Sequence, residues 1–251
     1  MHSFNSDGVE IAYEEAGEGE PILLIHGFAS NSNVNWRDTG WVKTLVEARY
    51  RVITIDNRGH GASQKLYDSE LYSAPEMAED ARRLLDHLGI GRADVMGYSM
   101  GARIAAFLTI HHPARVRRAV FAGLASRMIT GVGGAKAIAA GLEAKSLADV
   151  TDAAARSFRI FAEQTKSDLK ALAACMCGSR VKITEAELAR ISVPVLVVAG
   201  EKDEIAGDVA TLVAAIPGAK GLTLRGRGHM NAVGDKVYKQ AVVEFLATPP
   251  P

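Results

Sequence analysis

The sequence predicts an α/β fold, a mostly parallel eight-stranded sheet with helices on both faces. Three observations carry this expectation. Short apolar runs alternate with stretches of helical periodicity, several of these runs end in polar, glycine-containing loops, and 251 residues suffice for one large α/β domain. Hydrophobic residues make up 48% of the chain, far from the low-apolar, high-charge composition of disorder. Lys and Arg total 29, as do Asp and Glu, so the chain is formally neutral. No net field favours nucleic acid, an anionic membrane or a polyanionic substrate. Neutrality suits a small-molecule substrate recognised by a local, largely apolar pocket.

The elements follow in order. Residues 3–16 read as two short strands joined at Asp7-Gly8, a hairpin signal that puts an antiparallel edge on the sheet. Residues 21–26 and 50–56 are apolar runs of the kind buried parallel strands show. Over residues 75–88, Met77, Ala81, Leu84, Leu85 and Leu88 recur at three- and four-residue steps, and Gly89 marks the end of that helix. Further strands are expected over 93–98, 117–122, 193–199 and 220–225, with helices near 100–111, 208–216 and 231–247.

Residues 124–190 break this rhythm. They lack proline, are rich in alanine and contain no convincing strand, so they read as several helices inserted between two strands. The expected division is a core of residues 1–123 and 191–251 with a helical cap, or lid, over 124–190. Gly131, Gly133 and Gly134 form a loop or hinge where the cap begins, and an insertion at the C-terminal ends of strands commonly builds the site. Pro249, Pro250 and Pro251 are expected to form a short frayed tail.

The opening residues MHSFNSDGVEI do not read as a secretory signal, and no apolar run reaches membrane-spanning length. The only cysteines, Cys175 and Cys177, are too few for a disulfide framework. A cytoplasmic location is expected, with neither membrane nor nucleic acid as partner. A Cys-x-Cys pair without a matching cluster makes no metal site. Gly89-Ile90-Gly91 precedes a strand instead of following one, and no phosphate-binding loop or zinc-binding helix pattern occurs, so no cofactor is implied.

The most informative segment is Gly97-Tyr98-Ser99-Met100-Gly101, a G-x-S-x-G pattern between a strand-like and a helix-like stretch. A serine on so sharp a turn is exposed above the sheet, with the first amides of the following helix aimed at it. Its hydroxyl needs a base, and the base an orienting acid. Asp203 lies just past the apolar strand of residues 193–199 and His229 just past the strand of 220–225. The interval of 26 residues leaves room for one helix and one strand. An oxyanion would find donors in the backbone amides of Met100, after the serine, and Phe28, in His26-Gly27-Phe28.

These landmarks, with the Asp56-Asn57-Arg58-Gly59-His60-Gly61-Ala62-Ser63 loop and Gly228-His229, make the chain resemble the α/β-hydrolase superfamily, in particular its serine esterases and lipases, over nearly its whole length. The resemblance implies Ser99 as nucleophile, His229 as base, Asp203 as its orienter, and Phe28 with Met100 as oxyanion donors. In it Arg58 and His60 belong to a bracing loop and His26 holds the loop it opens. Dehalogenase and epoxide-hydrolase relatives carry aspartate where this chain has Ser99. Asn35-Trp36 resembles carbon-carbon bond hydrolases, whose Gly-Pro-Gly stretch is replaced here by Phe28-Ala29-Ser30-Asn31. Amine-binding relatives would need a cap acid, for which Glu143, Glu163 and Asp168 are the candidates. The expected activity is hydrolysis of a small to medium carboxylic ester, with the acyl or alcohol group lying among Phe28, Met100, Met128, Ile129, Phe158 and Phe161. A lactonase or carbon-carbon hydrolase with the same triad, or a low-turnover receptor using a hydrolase pocket, are the alternatives.

Overall fold

A computed structural model describes residues 1–248; the expected tail of Pro249, Pro250 and Pro251 lies outside them. Strands β1 (His2–Ser6) and β2 (Val9–Ala16) form the predicted hairpin, followed by β3 (Glu20–Ile25) and one π-type turn at Asn33–Arg37. Next come α1 (Trp41–Glu47), β4 (Tyr50–Ile55), α2 (Ala74–His87), β5 (Ala93–Tyr98), α3 (Met100–His111) and β6 (Val116–Ala122). Five helices then intervene: α4 (Arg127–Thr130), α5 (Ala135–Glu143), α6 (Ala153–Gln164), α7 (Leu169–Gly178) and α8 (Glu185–Leu188). The chain closes with β7 (Val195–Gly200), α9 (Val209–Ala215), β8 (Lys220–Leu224), α10 (His229–Ala232) and α11 (Lys236–Ala247).

The eight strands form one sheet in the order β1-β2-β4-β3-β5-β6-β7-β8, antiparallel at β1/β2 and β2/β4 and parallel elsewhere. The α/β-hydrolase fold expected from the sequence is the fold observed. Alternation along the parallel strands supplies both faces. Leu23, Ile25, Val95, Phe121 and Val197 join a core with α2 and α3, while Ile22, Leu24, Met96, Val120 and Val198 pack against α1 and α11. Because both faces are covered, these strands read as unbroken apolar runs. A third cluster lies among α5, α6 and α7 and takes in Ala29 from the loop after β3.

Two elements differ from expectation. The helix read over residues 231–247 is split, because the Asp235 side chain accepts from the Val237 amide at 2.7 Å and caps a new helix there. Helix α1 is unforeseen: its seven residues follow Gly40, which offers no side-chain cap, and its order comes from burying Trp41, Val42 and Leu45. Trp36, fully buried, packs edge-on to Trp41 at 6.4 Å and takes no part in the site.

The parallel strands end level with one another. Ile25 is in register with Ile55 and Gly97, Tyr98 with Ala122, Ala122 with Val198, and Gly200 with Leu224. Strand order reverses at β3, so the loops after β3 and β5 open into a crevice at this edge, where ligands of open α/β sheets bind.

Candidate active site

Ser99 occupies the turn between β5 and α3 with φ 56° and ψ −114°, a left-handed conformation unusual for a residue with a side chain. Its amide is held by the Ala122 carbonyl at 2.7 Å. The flanking glycines are required sterically. A Cβ on Gly97 would meet the Gly101 carbonyl oxygen at 2.1 Å, and one on Gly101 would meet the Ile25 carbonyl oxygen at 2.0 Å. Close packing therefore binds the β5–α3 turn to the end of β3.

Two loops bring the partners. His229 opens α10, its Nε2 3.0 Å from Ser99 Oγ and its Nδ1 2.9 and 3.0 Å from the carboxylate oxygens of Asp203. The buried carboxylate also accepts from the amides of Ile205 and Ala206 at 3.1 and 2.9 Å, which fixes its direction. A carboxylate only accepts, so Nδ1 carries the hydrogen and Nε2 presents its lone pair to the hydroxyl. Tyr98 Oη donates to the His229 backbone carbonyl at 2.5 Å, tying the start of α10 to the end of β5, and the two rings lie 5.5 Å apart. Such an arrangement can pass a proton from a hydroxyl to an imidazole and steady the resulting imidazolium.

The loop after β3 is held by side chains. The Gly27 amide donates to Asn35 Oδ1 at 3.0 Å, His26 Nδ1 to the Gly27 carbonyl at 2.7 Å, and the Asn57 amide to His26 Nε2 at 3.0 Å. Among the described residues, neither the Phe28 nor the Met100 amide donates to a protein acceptor, so both remain available to a ligand. His26 and His60 are fully buried with ring centroids 5.2 Å apart. Burial lowers the His26 pKa, and burial together with His26 pushes His60 down to about 3. An unfolded chain would protonate His60 below its ordinary pKa of 6.5, while the folded chain resists until about 3. The stability this residue contributes is present above 6.5 and is lost as pH falls through that window. Replacing His60 with Asn is expected to lessen the acid slope of stability by up to about 1.4 kcal/mol per pH unit, read from urea melts between pH 6.5 and 4.

A cavity of about 390 Å³ opens over Ser99 and His229. Phe28, Met100, Phe158 and Phe161 line it as expected, with Phe28 edge-on to Phe158 at 5.7 Å. Met128 and Ile129 do not line it, which corrects the expectation for both. Met128 is wholly buried in the sheet-side core, its carbonyl accepting from the Ile183 amide, and Ile129 packs against the same core. The candidate cap acids are also elsewhere: Glu143 is exposed, Glu163 pairs with Arg159 at 2.7 Å, and Asp168 caps α7. Sequence reasoning misses Arg103 and Arg180, which reach the wall. A lone cation within the apolar run of α3 is the signal that marks Arg103.

Cys175 is buried and Cys177 exposed, both as free thiols. Among the described residues no group of three or more His, Cys, Asp or Glu side chains could hold a metal, and no helix is long and apolar enough to cross a membrane.

A fold with this strand order, a serine on a strained strand-to-helix turn and a histidine-aspartate pair from the last two loops defines the α/β-hydrolase class. A family profile described as alpha/beta hydrolase fold matches residues 20–133. A 3-oxoadipate enol-lactonase of Acinetobacter baylyi is 31% identical over 219 residues, covering 80% of this chain and 79% of that protein. The chain belongs to the α/β-hydrolase family. A non-heme chloroperoxidase of Kitasatospora aureofaciens is 37% identical over 115 residues, a match spanning 45% of this chain and only 40% of that relative. Among solved structures, a hydrolase from Pseudomonas aeruginosa superposes with a TM-score of 0.80 at 26% identity, covering 98% of each chain.

Proposed function

We propose that the protein is a serine hydrolase that cleaves a small to medium carboxylic ester through an acyl-enzyme. The observation that carries this reading is the hydrogen-bonded line from Asp203 through His229 to Ser99 beneath a largely apolar cavity. Ser99 Oγ bonds to the ester carbonyl carbon as His229 Nε2 takes its proton, and the negative oxygen accepts from the Phe28 and Met100 amides. The carbon-oxygen bond to the alcohol then breaks, with His229 returning the proton to the leaving oxygen. Water, deprotonated by the same nitrogen, attacks the acyl carbon; the bond from that carbon to Ser99 Oγ then breaks, His229 returns the proton to Oγ, and the acid leaves. The segment 124–190 serves as the lid over the acyl or alcohol group, since Phe158 and Phe161 of α6 line the cavity.

A cyclic ester undergoes the same acyl transfer, and the enol-lactonase relative favours that second reading. The test is a panel of short-chain aryl esters, lactones and diketones, together with labelling by a fluorophosphonate. The expected result is a burst followed by turnover of an ester or lactone, with the label on Ser99. No burst, no turnover and no label would overturn the proposal, and ligand binding without turnover would mark a receptor.

A further inference from the structure

Four arginines are buried among the described residues, and three of them face a carboxylate: Arg58 faces Asp80, Arg118 faces Asp94 and Arg159 faces Glu163. The exception is Arg103, 3% exposed in the cavity wall, with no acidic partner. Its Nη1 donates to the Val181 carbonyl, while its Nε and Nη2 have no acceptor among the described residues. Arg180, also in the wall, repeats the pattern. Its Nη1 is held by the carbonyls of Val132 and Gly133, and its Nε and Nη2 edge likewise has no protein acceptor.

That edge presents two parallel N–H donors matched to a carboxylate. Arg58 uses the same edge on Asp80, with both bonds at 2.7 Å. Among the described residues no Asp or Glu lines the cavity, so its wall carries two arginines and no carboxylate in a chain of zero formal charge. Burial first, then Arg180, pushes Arg103 down to about 10, which leaves it protonated at neutral pH, and burial lowers Arg180 as well. Two neighbouring cations in a partly desolvated wall are costly unless an anion joins them.

We infer that the cavity admits carbonyl substrates bearing a carboxylate, seated on the free edges of Arg103 and Arg180 while the scissile carbonyl meets Ser99. Arg103 lies four residues after Ser99 on α3, and its amide bonds back to the Ser99 carbonyl at 3.4 Å. The two positions therefore share one helix face about one turn apart, about 5.4 Å along the axis. Ser99, Arg103 and Arg180 line the same cavity, so a short substrate with its scissile carbonyl at Ser99 can carry a carboxylate toward the two arginines. The substrate class is half-esters, or lactones, of short dicarboxylic acids, and this rests on the acyl-transfer reading of Ser99.

The test compares monomethyl succinate, glutarate and adipate with methyl esters of uncharged acids of matched length. The expected result is a kcat/KM at least about ten-fold higher for one of the half-esters than for its neutral match, as for a hydrogen bond between charged groups. R103Q and R180Q should each reduce that ratio by about ten-fold, with R103K retaining more of it than R103Q. Equal or better use of the neutral esters by the parent protein, or ratios unchanged in both variants, would overturn the inference. Glutarate titrated calorimetrically into S99A protein separates the two readings. Absence of ester or lactone turnover and of Ser99 labelling sinks the acyl-transfer reading alone, whereas absence of glutarate binding sinks the anion site alone. Arg180, being only half buried, supplies a variant that can be expected to fold should R103Q fail to.

Discussion

Ser99→Ala is expected to lower kcat on ester or lactone substrates by on the order of 10⁴-fold or more while leaving the melting temperature nearly unchanged. The separation of the two effects follows from the backbone. Ser99 sits at φ 56°, and alanine carries the same Cβ into the same strained conformation, so the substitution neither adds nor relieves strain. Only Oγ is lost, and with it the atom 3.0 Å from His229 Nε2. The cavity, the Phe28 and Met100 amides and the histidine remain, which accounts for residual rate above water. Ser99→Gly should lose as much activity yet gain about 1 to 3 kcal/mol of stability, because glycine adopts this φ freely. Adding His229→Ala to Ser99→Ala should cost little more, since residues acting as one unit are not additive. Single-turnover rates and urea midpoints of the variants check these expectations, and a large stability loss in S99A would show that Oγ has a structural role instead.

The clarity of this site in the sequence has a physical origin. Its chemistry sits on loops, and each loop follows a buried strand whose apolar run is conspicuous. The Gly97 and Gly101 positions tolerate no Cβ, so the elbow leaves a mark in the residues themselves. Asp203 and His229 were legible through order and spacing, which the parallel topology converts into proximity. The cavity wall was not legible in the same way. Met128 and Phe158 are both large apolar residues of the inserted helices, and only the packing of α4 onto the sheet and α6 over the crevice gives them opposite faces. Arg103 and Arg180 were hidden by formal neutrality. A count of 29 against 29 describes the whole chain, while among the described residues the cavity lining has two arginines and no acid. Helix α1 was hidden because tertiary burial of Trp41 and Leu45, and no local cap, holds it in place.

Asp80→Ala is expected to cost about 3 to 5 kcal/mol of folding stability, the largest loss anticipated for a residue outside the cavity. Asp80 and Arg58 expose 2% and 3% of their side chains, and the guanidinium meets both carboxylate oxygens. Burial raises the Asp80 pKa, against the opposing pull of Arg58, so the pair is held in place despite a real desolvation cost. Removing the carboxylate leaves Arg58 with the Leu71 carbonyl at 2.6 Å and a longer contact to Glu76 at 3.4 Å. It also frees Ser6 Oγ, which ties β1 to the same carboxylate. Replacing both partners with leucine removes the stranded charge and should recover much of the loss, whereas Arg58→Leu alone strands Asp80 instead. A double-mutant cycle by urea denaturation measures this directly. A cost below about 1 kcal/mol for Asp80→Ala would mean that the pair behaves as a solvated surface contact. The effect should also reach the active site by a traceable route. Arg58 anchors the loop whose neighbouring residue, Asn57, donates its amide to His26, and His26 in turn holds the Gly27 carbonyl immediately before the Phe28 amide. Under conditions where Asp80→Ala remains folded, loosening this line should lower kcat through a poorly placed oxyanion donor while leaving the hydrogen bond between Ser99 and His229 intact.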